Sequence, residues 1–259
     1  MGCNFFLSTS FHLKNKHMRS LIIMGILFLL FIGVKAQNVV YDENAEMRTV
    51  GSFSGIEVSG AISLYLSQGS EAGIAVSAGE EKYNSKIKTE VINGVLRISV
   101  DGGIWNGFNW SNKKLKAYVT IVDLNKLEVS GASYLNITGA LKVNTLNIEV
   151  SGASELKGII NAQNLHVDLS GASVVRVSGT ATDANIEASG ASRLIGYELS
   201  VDNCKVSTSG ASGVRLTVNK QISANASGGS TVYYKGPAEI KMLNSSGGAS
   251  IKNKTGNDD

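Results

Sequence analysis

Proline occurs once in this chain, as Pro237, and cysteine twice, as Cys3 and Cys204. A single proline leaves strands uninterrupted, because proline cannot donate to a sheet ladder. Only Cys204 lies beyond the N-terminal apolar segment. A disulfide framework is therefore excluded there, and the core must carry the fold by itself. Histidine is scarce too, with His166 the sole copy after residue 36. No concentrated basic face is visible, which argues against electrostatic nucleic-acid binding. No second long apolar run follows the first, so the chain beyond residue 36 is expected to be soluble and not membrane-spanning.

The basic balance of the whole chain, +3, resides in its N-terminus. Lys14, Lys16 and Arg19 precede an apolar run from Leu21 to Val34, which ends at Val34-Lys35-Ala36. That order reads as a signal peptide over residues 1–36, with Met18 a candidate start. The run is shorter than the roughly 20 apolar residues of a membrane span. The alternative is an N-terminal segment retained as an anchor. Without residues 1–36, Lys and Arg fall from 24 to 20 against 21 acids, a net charge of about −1. Export to the periplasm, outer surface or extracellular space follows from this reading.

Glycine, by contrast, is abundant, at 29 residues. Seven Ser-Gly-Ala or Ser-Gly-Gly turns run down the second half, beginning at Ser130, Ser151, Ser170, Ser189, Ser209, Ser227 and Ser246, and one more copy lies earlier, at Ser59-Gly60-Ala61. A period near 19 with strand-like filling between turns is a solenoid signature. One, three and five residues before each turn the side chains are mostly apolar, as in Leu146, Ile148 and Val150. The residues between are polar, as in Asn147 and Glu149. This alternation describes half-buried strands. It resumes after the turn, at Leu135, Leu156, Val175, Leu194, Val214 and Val232, until a second breaker such as Gly139 or Gly158.

Stacking such coils buries together what one coil cannot bury alone. The expected fold is all-β, a right-handed parallel β-helix with ~19-residue coils. A left-handed hexapeptide helix is the runner-up. Gly131, Gly152, Gly171, Gly190, Gly210, Gly228 and Gly247 are expected to take positive φ in the turns. The alanine after each glycine is expected to point inward, and the flanking serines to bond the turn backbone. The chain divides into a linker at 37–47, an irregular N-terminal capping half at 48–122, regular repeats at 123–252 and a frayed tail at 253–259. In the capping half, Ile92-Asn93-Gly94-Val95 signals a hairpin. Glu80 to Ser85 suggests a short helix, and Tyr118 to Val122 is expected to begin the regular stack.

Arg48 to Val58 (RTVGSFSGIEV), Gly79 to Val100 with its ending NGVLRI, and the SGAS turns resemble the auto-transporter adhesin head GIN domain family. The resemblance spans nearly all of the chain beyond residue 36. It implies a pectin-lyase-type β-helix without catalytic residues and a role in cell adhesion. No site residues are carried over from it.

Several features could carry chemistry. Glu128, Glu149, Asp168 and Glu187 share one position in four successive coils. They form either a cation site or catalytic acid pair, or a solvated charged column. Two charges one coil apart in water repel by only about 1 kcal/mol, so the column needs no metal. His166 points outward near Asp168, as a candidate general base or a surface histidine. Cys204 falls in the apolar column of Leu146, Leu165 and Ile222, which predicts a buried, inert thiol. Trp105, Phe108 and Trp110 lie in the least repetitive segment and either contact a ligand or plug the helix end. The expected function is an exported non-enzymatic adhesion or binding module with a glycan or cell-surface protein as ligand and no cofactor. The alternative is a polysaccharide lyase or hydrolase, for which no Arg/Lys cluster is apparent. A structural envelope protein is the third class.

Overall fold

A computed structural model describes residues 42–101 and 114–256. Trp105, Phe108 and Trp110, the leader segment and the last three residues of the tail lie outside them. The first part comprises β1 (Glu46–Arg48), β2 (Gly55–Val58), β3 (Ser63–Gln68) and β4 (Gly73–Ser77). A 3-10 helix at Glu81–Lys86 leads to β5 (Ile87–Ile92), β6 (Val95–Val100) and β7 (Lys116–Ile121). The second part holds β8 (Lys126–Val129), β9 (Tyr134–Val150), β10 (Glu155–Leu169), β11 (Val174–Ala188) and β12 (Arg193–Thr208). It ends with β13 (Gly213–Ala226), β14 (Thr231–Lys235), β15 (Glu239–Ser245) and β16 (Ser250–Asn253). Together they form a β-solenoid of about seven turns of roughly 19 residues.

Parallel register places like positions over one another. Leu146 pairs with Leu165, Leu165 with Ala184, Ala184 with Cys204 and Cys204 with Ile222. Ile148, Val167, Ile186, Val206 and Ala224 form the next column, and all are buried. Leu135, Leu156, Val175, Leu194, Val214 and Val232 line the interior after the turn. Each such aliphatic contributes roughly 1.5–3 kcal/mol by leaving water. The shared interior is the tube that the alternation predicts.

The turns keep the ladder continuous around the corner. Gly171 has φ +68° and Gly190 φ +69°. The amide of Ala191 donates to the Gly171 carbonyl at 2.8 Å, and that of Ala172 to the Gly152 carbonyl at 2.8 Å. A Cβ on Gly171 would lie 2.5 Å from the Gly152 oxygen. Glycine is thus required twice, by conformation and by the close approach of the coil below.

The expected inward alanine is corrected by the structure. Ala132, Ala153, Ala172, Ala191 and Ala211 are exposed, whereas Ser133, Ser154, Ser173, Ser192, Ser212 and Ser230 are buried. The alternation keeps its phase through the turn, so the serine, in step with Val150 and Leu156, takes the inner corner. At Ser173, Ser192, Ser212 and Ser230 a backbone carbonyl meets the hydroxyl. Ser212 Oγ donates to the carbonyls of Ser209 at 2.8 Å and Ala188 at 2.9 Å. Ser192 Oγ and Ser230 Oγ make the same 2.8 Å bond to Ser189 and Ser227.

Spatial order departs from sequence order in the first half. The turn at Ser59-Gly60-Ala61 is a true rung, with Val58 paired to Val129 and Leu64 to Leu135. Tyr118 to Val122, expected to open the regular stack, instead falls mostly in β7, which pairs with the outer side of β3. β4 lies antiparallel on β7, and β1 antiparallel on β4. The predicted hairpin forms between β5 and β6, with Asn93 at φ 52° and Gly94 at φ 76°. Residues 69–101 and 114–123 therefore belong to an excursion between two consecutive rungs, and it covers the first of them.

Asp42 fastens this covered end. Its carboxylate accepts bonds from Lys116 Nζ at 2.8 Å, Tyr118 Oη at 2.7 Å and Ser77 Oγ at 2.9 Å. Burial alone would push the carboxyl up, but these donors outweigh it and hold it at about 2 instead of 3.8. At the other end, Ile240 and Leu243 continue the interior columns of Ile222 and Ala224 yet stay exposed.

Candidate functional site

The sheet leading into the turns carries the acids. Glu57, Glu128, Glu149, Asp168 and Glu187 stand in register, five coils deep. Ser207, Asn225 and Asn244 continue the column. Lys126 Nζ lies 3.0 Å from Glu128 and Arg97 Nε 3.1 Å from Glu57. The Glu128 bond raises the Lys126 pKa against partial burial, with the charges of Glu149 and Glu57 adding to it. The carboxylates stand side by side about 4.8 Å apart, as ladder residues do. Among the described residues no three His, Cys, Asp or Glu side chains converge into a metal-binding group.

His166 is exposed on the same sheet, one column over. Its Nε2 lies 3.3 Å from the Asn185 amide nitrogen. Its register mates are Asn147 and Asn185. Asn164, Asn203 and Gln221 border it in a shallow depression of about 390 Å³. Amides surround the imidazole, and no hydroxyl is hydrogen-bonded to it. Cys204 is buried in its predicted column, and desolvation raises its thiol to about 12. The seven turn glycines have φ between 66° and 71°.

The sheet leaving the turns holds what the sequence reading missed. Six residues past each turn serine, the outward column runs Asn136, Lys157, Arg176, Ile195, Arg215, Tyr233 and Lys252. Arg193 stands beside it, two residues before Ile195. Arg176 Nε is bound to Glu155 at 3.0 Å. Among the described residues, Lys157, Arg193, Arg215 and Lys252 are exposed and have no carboxylate partner. Two more ammonium groups sit over tyrosine rings, Lys235 over Tyr197 at 4.7 Å and Lys254 over Tyr233 at 5.3 Å. Counting the even positions after each turn serine reveals this row in the sequence.

Two hollows indent this basic face. One, about 500 Å³, opens at Gly158 and Gly196 between Lys157, Arg176, Ile195 and Tyr197. The other, about 360 Å³, opens at Gly213 between Arg193, Arg215 and Thr231. The acid column and the row from Lys157 to Lys252 thus occupy separate faces, although Glu155 and Glu198 stand on the second and Lys126 and Lys205 on the first.

Comparison with known proteins completes the picture. The family model "Putative auto-transporter adhesin, head GIN domain" matches residues 52–238, which include the first rung, the excursion and most of the regular coils. The chain belongs to that family. Among solved structures, an adhesin from Bacteroides fragilis superposes with a TM-score of 0.73 at 23% identity, over 81% of this chain and 95% of that one. An adhesin from Parabacteroides merdae gives 0.65 at 15% identity, over 81% and 95%. A structure from Parabacteroides distasonis, described as a lipid binding protein, gives 0.63 at 21% identity, over 82% and 97%. At these identities the likeness shows a shared fold. No curated protein matches the chain. No helix among the described residues is long and apolar enough to cross a membrane.

Proposed function

We propose that this head GIN protein is an exported, non-enzymatic adhesion module that binds a glycan along the face leaving the turns. The observation that carries the reading is the column from Lys157 to Lys252, in which Lys157, Arg215 and Lys252 are unpaired cations and Tyr233 presents a ring, all at multiples of the coil spacing. Such a face offers a polymer many equivalent weak contacts, and linked contacts raise avidity without any single strong one. The leader-like N-terminus and membership of an adhesin family support export and adhesion. The competing enzyme reading requires a cation beside paired acids in one cleft. Here the acid column and the row from Lys157 to Lys252 stand on different faces of the coils. A polysaccharide panel tests both readings at once, by binding and by release of new reducing ends. Binding without turnover is the expected result. Turnover of any member would establish the enzyme instead.

A further inference from the structure

We infer that the ligand of this face is an acidic polysaccharide, and that the hollow at Gly213 is its principal anion subsite. This rests on the glycan-binding reading above and adds the chemical class of the glycan. Arg193, Gly213 and Thr231 occupy one outward column on three successive coils. Arg215 lies on the same strand as Gly213, two residues on, and so projects from the same face. Glycine leaves a gap in the column where every neighbouring coil carries a side chain. Thr231 Oγ1 lies 3.2 Å from where a Cβ on Gly213 would stand. A hydroxyl and two guanidinium groups therefore border one hollow of about 360 Å³. Both guanidiniums lack a carboxylate partner.

That combination selects a planar or tetrahedral oxyanion. Guanidinium forks match carboxylate and sulfate oxygens in bidentate fashion, and the hydroxyl supplies a further donor. Ile195 joins this hollow to the larger one, which lies between Lys157, Arg176 and Tyr197. A single extended chain can thus meet cations on several coils. The acid column lies on a different face, away from this row. The charge density favours a glycan over nucleic acid. Duplex DNA carries a charge about every 1.7 Å, whereas the unpaired cations recur about once per coil and Glu155 and Glu198 stand among them.

Binding of the protein to polygalacturonate, dextran sulfate, uncharged dextran and duplex DNA tests the inference, at low and high salt. The expected result is salt-sensitive binding to polygalacturonate, dextran sulfate or both, which separates carboxylate from sulfate recognition. Arg193→Gln with Arg215→Gln should weaken it by at least about tenfold. Lys142→Gln with Lys205→Gln removes the same charge elsewhere and should leave it within about twofold. Gly213→Val, which fills the hollow, should weaken it as well. Dextran bound as tightly as the polyanions would overturn the acidic class while leaving glycan binding in place. Binding to no glycan at all would overturn both readings. Tighter binding to DNA, or equal losses in the two double variants, would overturn the subsite.

Discussion

Thr208 Oγ1 lies 2.9 Å from Ser230 Oγ inside the solenoid, one coil below it. Thr208 stands where other coils place Val129, Val150, Leu169, Ala188 or Ala226, and it is buried like them. The hydroxyl is tolerated because Ser230 accepts from it while donating to the Ser227 carbonyl at 2.8 Å. Ser230→Ala removes that partner. The expected loss is about 1–3 kcal/mol, the cost of a buried unsatisfied hydroxyl. Adding Thr208→Val should recover part of it. Urea denaturation of the single and double variants reads both effects.

Turn glycines should differ in cost according to what surrounds them. Gly171→Ala forces a left-handed alanine and drives its Cβ toward the Gly152 carbonyl at 2.5 Å. Backbone strain alone costs roughly 1–2 kcal/mol, and the contact adds to it. Gly94 also has positive φ, at 76°, but nothing lies within 4 Å of its Cβ position. Gly94→Ala should lose only the strain part. Melting temperatures falling equally in both variants would show that coil stacking adds nothing at the turn.

Asp42 makes stability pH-dependent at the covered end. Its carboxyl sits at about 2 in the fold against an ordinary 3.8. A depressed acid contributes fully above 3.8, and the contribution fades as pH falls from there toward 2. The difference corresponds to about 2 kcal/mol. Asp42→Asn should therefore lower stability at pH 7 and flatten its change between pH 4 and 2. Denaturant midpoints across that range would check this, and an unaltered profile in the variant would refute it.

Cys204 should resist thiol reagents until the solenoid opens. The thiol is 5% exposed and its pKa is raised to about 12 by desolvation. With Cys3 replaced by Ser, the native protein should show almost no reaction with a disulfide reagent at pH 8. In urea it should react stoichiometrically. Fast native labelling would contradict the assigned register.

The acid column should behave as charge and not as a cation site. Glu149→Lys sets a cation between Glu128 and Asp168, its register partners. The expected gain is about 0.2–1 kcal/mol, lost at high salt. Millimolar calcium should leave the melting temperature of the unaltered protein unchanged. A clear rise with calcium would restore the metal reading of Glu128, Glu149, Asp168 and Glu187.

The interior was legible because burial follows a local rule. Side chains alternate in and out along a strand, so counting back from Ser151 or Ser170 places Ile148 and Val167 inside without any knowledge of their neighbours. The same rule extends through the corner, where Ser154 is in step with Val150 and Leu156 and Ala153 is not, so the inward serine is legible in the sequence as well. The excursion at residues 69–101 and 114–123 was not legible in this way. Its strands satisfy alternation equally well wherever they pair, and Tyr118 carries no mark that it lies outside Tyr65. Of the site, the acid column was read correctly as a ladder. The cations opposite it escaped notice because Arg193 and Arg215 belong to adjacent columns and meet only across Gly213.

The amino-acid order by itself determined the period, the inward columns and the left-handed glycines, since each depends on a few consecutive residues and the covalent geometry between them. Tertiary structure decided which coil rests on which, how Asp42 ties down the first rung, and that the acid column and the row from Lys157 to Lys252 occupy different faces. Those outcomes depend on pairing between segments far apart in the chain, where many registers satisfy the same local pattern and only the complete stack selects one.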